Sequence, residues 1–212
     1  MNILAMSVYG DDPKYIEGAA ANAKLMADVY PGWKMMIFMD RPIRDLVLLS
    51  SDTIACFDMK ESRGHEGMFW RFLAYDAEGA KTVIFRDADS RIGPKEAAAV
   101  NAWIESDKAL HVMRDHADHA FWPILGGMWG LKKPALNGKP MRALTEAWSP
   151  RENKLDDMRF LAGVIWPMFN ANCLQHSSVE SPHGGEPFPS YNDEGQAGHV
   201  GQIIEVTQDD RQ

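Results

Sequence analysis

The chain has 212 residues, 45% hydrophobic and 25% charged, ordinary values for a globular protein able to bury a core without disulfides or structural metal. A formal net charge of −8 with no basic run disfavours nucleic acid as a partner, so an anionic substrate needs local help from arginines or a metal ion. Cys56 and Cys173, the only cysteines, make no disulfide framework; no apolar run reaches the roughly 18 residues of a membrane helix, and Asp11 and Asp12 interrupt any secretory leader, so a cytoplasmic protein is expected.

In chain order, Ile3 to Tyr9 is a nearly continuous apolar run and predicts a strand buried on both faces. Gly10-Asp11-Asp12-Pro13 turns the chain, with Asp12 as N-cap and Pro13 at the first helical position. Apolar residues at helical spacing from Ile16 to Tyr30 carry a helix to Pro31-Gly32. Lys34 to Asp40 predicts a second buried strand, Ile43 to Leu49 a short helix, and Thr53 to Phe57 a third strand. This alternation predicts an α/β fold with a mostly parallel central sheet flanked by helices, whose ligands bind beyond the carboxyl ends of the strands. The ends so far, Tyr9-Gly10-Asp11, Asp40-Arg41 and Asp58, are all polar.

Gly67 to Glu78 reads as an amphipathic helix leading into a buried strand, Val83-Ile84-Phe85, which stops abruptly at Arg86-Asp87-Ala88-Asp89-Ser90. Pro94 starts a helix through Ile104, Leu110 to Met113 is a short strand, and a polar turn carries His116 and His119. Ile124 to Leu131 has an apolar strand pattern broken by Gly126, Gly127 and Gly130, as a close approach of ligand or backbone, or a bulge, requires. Helices are predicted over Met141 to Trp148 and Asp156 to Trp166, the second ended by Pro167; Cys173 to His176 is a strand tipped by histidine. Ser181 to Gly201 is a long glycine- and proline-rich loop, and His199 to Val206 a last edge strand. No linker divides the chain: residues 1–180 are read as the catalytic part and 181–212 as a loop-rich segment of the same domain.

Residues i and i+2 of an extended strand point the same way, so Asp87 and Asp89 can reach one ligand. Paired carboxylates suit a hard cation such as Mg²⁺ or Mn²⁺ that takes its remaining ligands from substrate phosphates. The same pair also suits a charged turn. His116 and His119 lack the cysteine pair or H-E-x-x-H context of a zinc site and fit a contact to acceptor or phosphate, or a solvated turn. Trp129, beside the glycines, is the tryptophan best placed to wall a sugar pocket.

The ordered set resembles the GT-A-fold nucleotide-sugar glycosyltransferases, in particular the glycogenin-like and lipopolysaccharide galactosyltransferases. The resemblance is carried by Ser7-Val8-Tyr9-Gly10, Trp70-Arg71-Phe72, Phe85-Arg86-Asp87-Ala88-Asp89-Ser90, Leu125-Gly126-Gly127-Met128-Trp129-Gly130, Asp156 to Leu161, and His176. It implies a metal-dependent transferase moving a sugar from a nucleotide-diphosphate sugar, of UDP or GDP type, to a hydroxyl acceptor with Mn²⁺ or Mg²⁺. By the resemblance Asp87, Asp89 and His176 hold the metal, with Asp87 shared with the ribose. Ser7, Val8, Tyr9 and Asp40 border the nucleotide, while Arg71 and Arg86 meet the diphosphate or sugar. Gly126 and Gly127 admit the donor sugar, and Asp156 or Asp157 lies near its reacting carbon. The family's acid-then-glutamine pair is here Asp156-Asp157, and its glycine and lysine after the metal histidine have no clear counterpart. Two other readings stand beside this one: a sugar nucleotidyltransferase, disfavoured by the absence of a basic glycine-rich N-terminal loop, and a non-catalytic nucleotide- or carbohydrate-binding module of the same fold.

Overall fold

A computed structural model describes residues 1–60, 64–194 and 198–205. Its strands are β1 (Asn2–Val8), β2 (Lys34–Met39), β3 (Ile54–Asp58), β4 (Thr82–Phe85), β5 (Leu110–Arg114), β6 (Trp129–Lys132) and β7 (Cys173–Ser177). Its α-helices are α1 (Pro13–Val29), α2 (Arg44–Val47), α3 (Pro94–Glu105), α4 (Met141–Ala147), α5 (Asp156–Phe160) and α6 (Trp166–Phe169). The strands form one sheet in the order β3-β2-β1-β4-β6-β5-β7, mostly parallel, with β6 antiparallel to both neighbours. The expected α/β class, a mostly parallel sheet flanked by helices, is therefore what the chain adopts.

Crossovers leave β1 toward β2 on one side and reach β4 on the other, so the carboxyl ends of β1 and β4 flank a topological switch point, where open sheets bind ligands. Both faces of the sheet are covered. Leu4, Met6, Val8, Ile84 and Trp103 pack on the α1 and α3 side; Phe72, Phe85, Trp129 and Phe160 form an aromatic core on the other. Asp12 caps α1 by accepting a hydrogen bond from the Lys14 N–H, with Pro13 following, as read from the sequence.

Several elements differ from expectation. The predicted amphipathic helix at 67–78 is a 3₁₀ segment, Gly64–Asp76, in which Arg71 and Tyr75 are buried along with Phe69 and Phe72. Packed between sheet and helix from Gly67 to Phe72, it reaches solvent only in part, at His65, Glu66, Leu73 and Asp76, and presents no continuous polar stripe. Of the glycine-broken run, only Trp129–Lys132 is strand; Gly126 and Gly127 lie in the turn before it. Pro167 does not end the late helix. α5 passes into a π-helical stretch, Leu161–Ile165, and Pro167 sits in the first turn of α6, where its missing N–H is not needed. Residues 201–205 run without strand pairing, and Val206 lies outside the described residues.

Candidate active site

Two cavities meet at the switch point. One, of about 230 Å³, is lined among others by Ser7, Tyr9, Arg71, Asp87, Asp89, Gly126 and Asp157. The second, of about 530 Å³, is lined by Tyr9, Gly10, Asp11, Asp12, Tyr15, Asp40, His65 and Lys154. They share Tyr9, Tyr15 and Lys154 and form one groove. Each volume is on the scale of a small-molecule subsite.

The acids Asp87 and Asp89 lie just past the end of β4, in a turn rather than on the strand, so their common direction comes from loop packing. Several contacts hold that loop. Arg86 N–H donates to the Ala5 carbonyl, extending the β1–β4 ladder by one residue. The Ser90 hydroxyl donates to the Asp87 carbonyl at 3.1 Å. From α1, buried Asn22 clamps the far side: its amide donates to the Ser90 carbonyl at 2.8 Å, and its oxygen accepts the Ile92 N–H at 2.9 Å. Gly18, one turn earlier, lies so close that a Cβ would overlap the Ala88 carbonyl. Neither Asn22 nor Gly18 stood out in the sequence, although a glycine inside an otherwise strong helix was the available signal.

Arg71 is the hub. Its backbone N–H donates to the Ser7 hydroxyl at 2.9 Å, and its buried guanidinium forms ion pairs with Asp87 through Nη1 and with Asp157 through Nη2, the latter at 2.8 Å. Gly126 and Gly127 exist for this constellation. A Cβ on Gly126 would collide with Asp157 Oδ2 and the Arg71 guanidinium; one on Gly127 would collide with Asp87 Oδ2. The resemblance pairs these glycines with a sugar, whereas their immediate neighbours are the ion-paired side chains, and of the two only Gly126 lines the cavity.

Electrostatics divide the acids. Asp89 is buried and no side chain of the described residues hydrogen-bonds or ion-pairs with it; desolvation, and then the charge of Asp87, push its carboxyl upward. Asp157 is pushed up to about 6, because burial and the charge of Asp87 outweigh the opposing pull of Arg71. Tyr9, which packs edge-on to Trp70, is raised to about 12 by burial and stays protonated. Asp156 belongs elsewhere. Its carboxylate accepts the Glu152 and Asn153 N–H groups at 2.9 Å and pairs with Arg159 at 2.7 Å, so it organises the turn into α5 and does not line the groove.

Other expected site residues are placed apart. Val8 faces the core beside α1. Arg86 turns into that core, pairs with Glu96 at 2.9 Å, itself hydrogen-bonded to Tyr30, and lines neither cavity. His176 lines neither cavity: its Nδ1 is 2.9 Å from His111 Nε2, deep against α3, and burial lowers its pKa. Trp129 is fully buried against Phe85 rather than walling a pocket. Asp40 does reach the second cavity, where it accepts the Gly10 N–H at 2.9 Å and pairs with Arg41. Among the described residues no group of three His, Cys, Asp or Glu side chains is disposed to hold a metal ion.

No protein-family model matches the sequence, and no curated protein matches it. Solved structures do match its fold. A glycosyltransferase involved in glycosylation of the major capsid of PBCV-1 superposes with a TM-score of 0.55 at 13% identity, over 83% of this chain and 80% of that one. A mannosyltransferase from Pyrobaculum calidifontis, in complex with GDP-Man and Mn²⁺, superposes with a TM-score of 0.56 at 13% identity over 84% of this chain; the matched region is 55% of that chain's length. A 4-diphosphocytidyl-2C-methyl-D-erythritol synthase from Anaerococcus prevotii gives 0.54 at 9% identity, over 84% of this chain and 89% of that one. The fold is thus of the GT-A type that the sequence resembles. No described helix is long and apolar enough to cross a membrane.

Proposed function

We propose that the protein is a metal-assisted glycosyltransferase that moves a sugar from a nucleotide-diphosphate sugar to a hydroxyl acceptor. The observation that carries this reading is the set Asp87, Asp89, Arg71 and Asp157 around one cavity, continuous with a second cavity at the switch point. The nucleoside belongs in the second cavity, against Tyr9, Tyr15 and Asp40; the diphosphate and sugar belong with the acids.

The donor set fits a divalent cation of Mg²⁺ or Mn²⁺ type. Asp89 is a desolvated carboxylate that no described side chain hydrogen-bonds or ion-pairs, the charges of Lys14 and Arg71 acting on it only from a distance, and Asp87, partly exposed, keeps an oxygen beyond its Arg71 pair. Two carboxylates are enough for a hard cation that draws its other ligands from phosphates and water, so the displacement of His176 does not remove the site. Such an ion supplies positive charge against the departing diphosphate. The chain's own residues do the rest. Arg71 fixes Asp87 and Asp157 relative to one another, the Ser7 hydroxyl fixes the Arg71 backbone, and Asp157 stands as the carboxylate beside the reacting carbon, able to take the acceptor's proton or stabilise positive charge on the sugar.

A nucleotidyltransferase reading draws on the Anaerococcus neighbour. It ranks second because the loop after β1, Gly10-Asp11-Asp12, is acidic where a nucleotide triphosphate calls for basic groups.

Calorimetric titration of UDP and GDP with and without Mn²⁺ tests the proposal. The expected result is Mn²⁺-dependent binding to wild type that falls at least tenfold in Asp89→Ala, with slow hydrolysis of the matching sugar nucleotide. Absence of metal-dependent binding in wild type overturns it, and binding without turnover leaves a non-catalytic module. Incorporation of nucleoside monophosphate from a triphosphate selects the second reading.

A further inference from the structure

A cluster of three imidazoles stands at one end of the first cavity. His116 stacks on His199 with centroids 4.6 Å apart, and His119 lies edge-on to both at 5.8 and 5.3 Å. Only His119 lines the cavity, and it does not line the second one. The residues shared by the two cavities, Tyr9, Tyr15 and Lys154, mark their junction, so His119, with Met128, Gly201 and Ile203, belongs to the part of the groove unique to the acids.

The His119 ring has a defined polarity. Its Nδ1 accepts the Asp115 backbone N–H at 3.1 Å, which places the proton of the neutral ring on Nε2. Nε2 has no hydrogen-bond partner among the described residues and is not sealed from solvent. The groups facing the ring are His116, His199, Asp115 and Asp118; burial and the two histidines outweigh the acids and hold its pKa at about 4, so it is uncharged at neutral pH. Away from the junction residues Tyr9, Tyr15 and Lys154, the polar side chains beside the acids are carboxylates, which only accept hydrogen bonds, the Ser7 hydroxyl, already engaged by the Arg71 N–H, and an Arg71 whose guanidinium is committed to Asp87 and Asp157. A sugar hydroxyl that donates to a carboxylate still needs a donor for its own oxygen.

We propose that His119 is a specificity-determining residue whose Nε2–H donates to a hydroxyl of the sugar carried by the nucleotide, not to the phosphates or the nucleoside. This deepens, and rests on, the glycosyltransferase reading of the same groove.

The test uses the full chain with Mn²⁺ and calorimetric titration of UDP, GDP, UDP-glucose, UDP-galactose and GDP-mannose. Two variants separate contact from scaffold. His119→Asn keeps an acceptor at the Nδ1 position for the Asp115 N–H and loses the outer donor; His119→Gln carries an amide N–H at the Nε2 position. The expected result is that the best sugar nucleotide binds wild type more tightly than its own nucleoside diphosphate. His119→Asn then loses about 3–10-fold in affinity for the sugar nucleotide alone, the scale of one neutral hydrogen bond, and His119→Gln recovers most of it. The ratio of wild-type to His119→Asn affinity stays constant from pH 5.5 to 8.

An equal loss for the bare diphosphate, or a ratio that widens below pH 6, marks a charged phosphate ligand and overturns the assignment. So does a wild type that binds sugar nucleotide and diphosphate equally, although that result leaves the nucleotide site intact. A wild type that binds no nucleotide removes the glycosyltransferase reading and this inference with it.

Discussion

Asp156 and Asp157 are adjacent and both buried, yet they have opposite electrostatics. Asp156 is held below the ordinary carboxylate range chiefly by the Asn153 N–H and also by Arg159, whereas Asp157 is pushed up to about 6 by burial. Because the folded-state value of Asp157 exceeds the ordinary one, the native protein keeps a proton between about pH 4 and 6 that the unfolded chain has released. Stability contributed by this group is therefore full below that window and lost as pH rises through about 6. Asp157→Asn is expected to flatten the pH dependence of the denaturation midpoint across the window. If ionised Asp157 serves the reaction, kcat/KM rises through pH about 6 in wild type, and the variant loses that limb together with about 10²–10³-fold in rate. A pH–rate profile beside urea titrations at pH 4.5 and 7.5 checks both.

At the scale of elements, the acidic loop is positioned by α1 more than by its own strand. Gly18 and Asn22, one turn apart on α1, receive Ala88, Ser90 and Ile92. Gly18→Ala normally favours a helix by about 1 kcal/mol. Here the new Cβ meets a backbone carbonyl, which cannot rotate away as a side chain can. The expected outcome is no gain in thermal stability and weaker Mn²⁺-dependent nucleotide binding, as Asp89 shifts with its loop. Unchanged affinity with raised stability would show that the loop relaxes freely. The 3₁₀ segment Gly64–Asp76 works in the same way, presenting Arg71 from the opposite face of the sheet while its Gly67 accommodates the Tyr9 ring.

Across the whole molecule, the sheet separates the edge that carries the groove from a polar interior. Arg86, Glu96 and Tyr30 form a buried network on the α1 and α3 side, and His111 and His176 form a second, with His111 stacked on Trp103. Removing one member of a buried ion pair strands the other's charge. Arg86→Met is therefore expected to destabilise the fold by about 3–5 kcal/mol, and Arg86→Met/Glu96→Leu to recover much of that, as chemical denaturation reads it. Nucleotide affinity of the folded fraction should be unchanged in both. A selective loss of diphosphate binding at full stability would return Arg86 to the site.

The sequence by itself determined the alternation of elements, the cap of α1, and the acidic turn after β4, because these depend on local periodicity and on residues adjacent in the chain. Ser7, Tyr9, Arg71, Gly126 and Asp157, expected at the site from the resemblance, and Asp87 and Asp89, read from the acidic turn, line one cavity in the fold. Which way a side chain points was decided only by the tertiary structure. β1 and β4 carry apolar residues toward both faces, so no polar alternation tells one face of these strands from the other. Packing of α1 and α3 on one face, and of the 3₁₀ segment and α5 on the other, sent Val8, Arg86 and His176 inward and left Arg71, Asp89 and Asp157 at the edge.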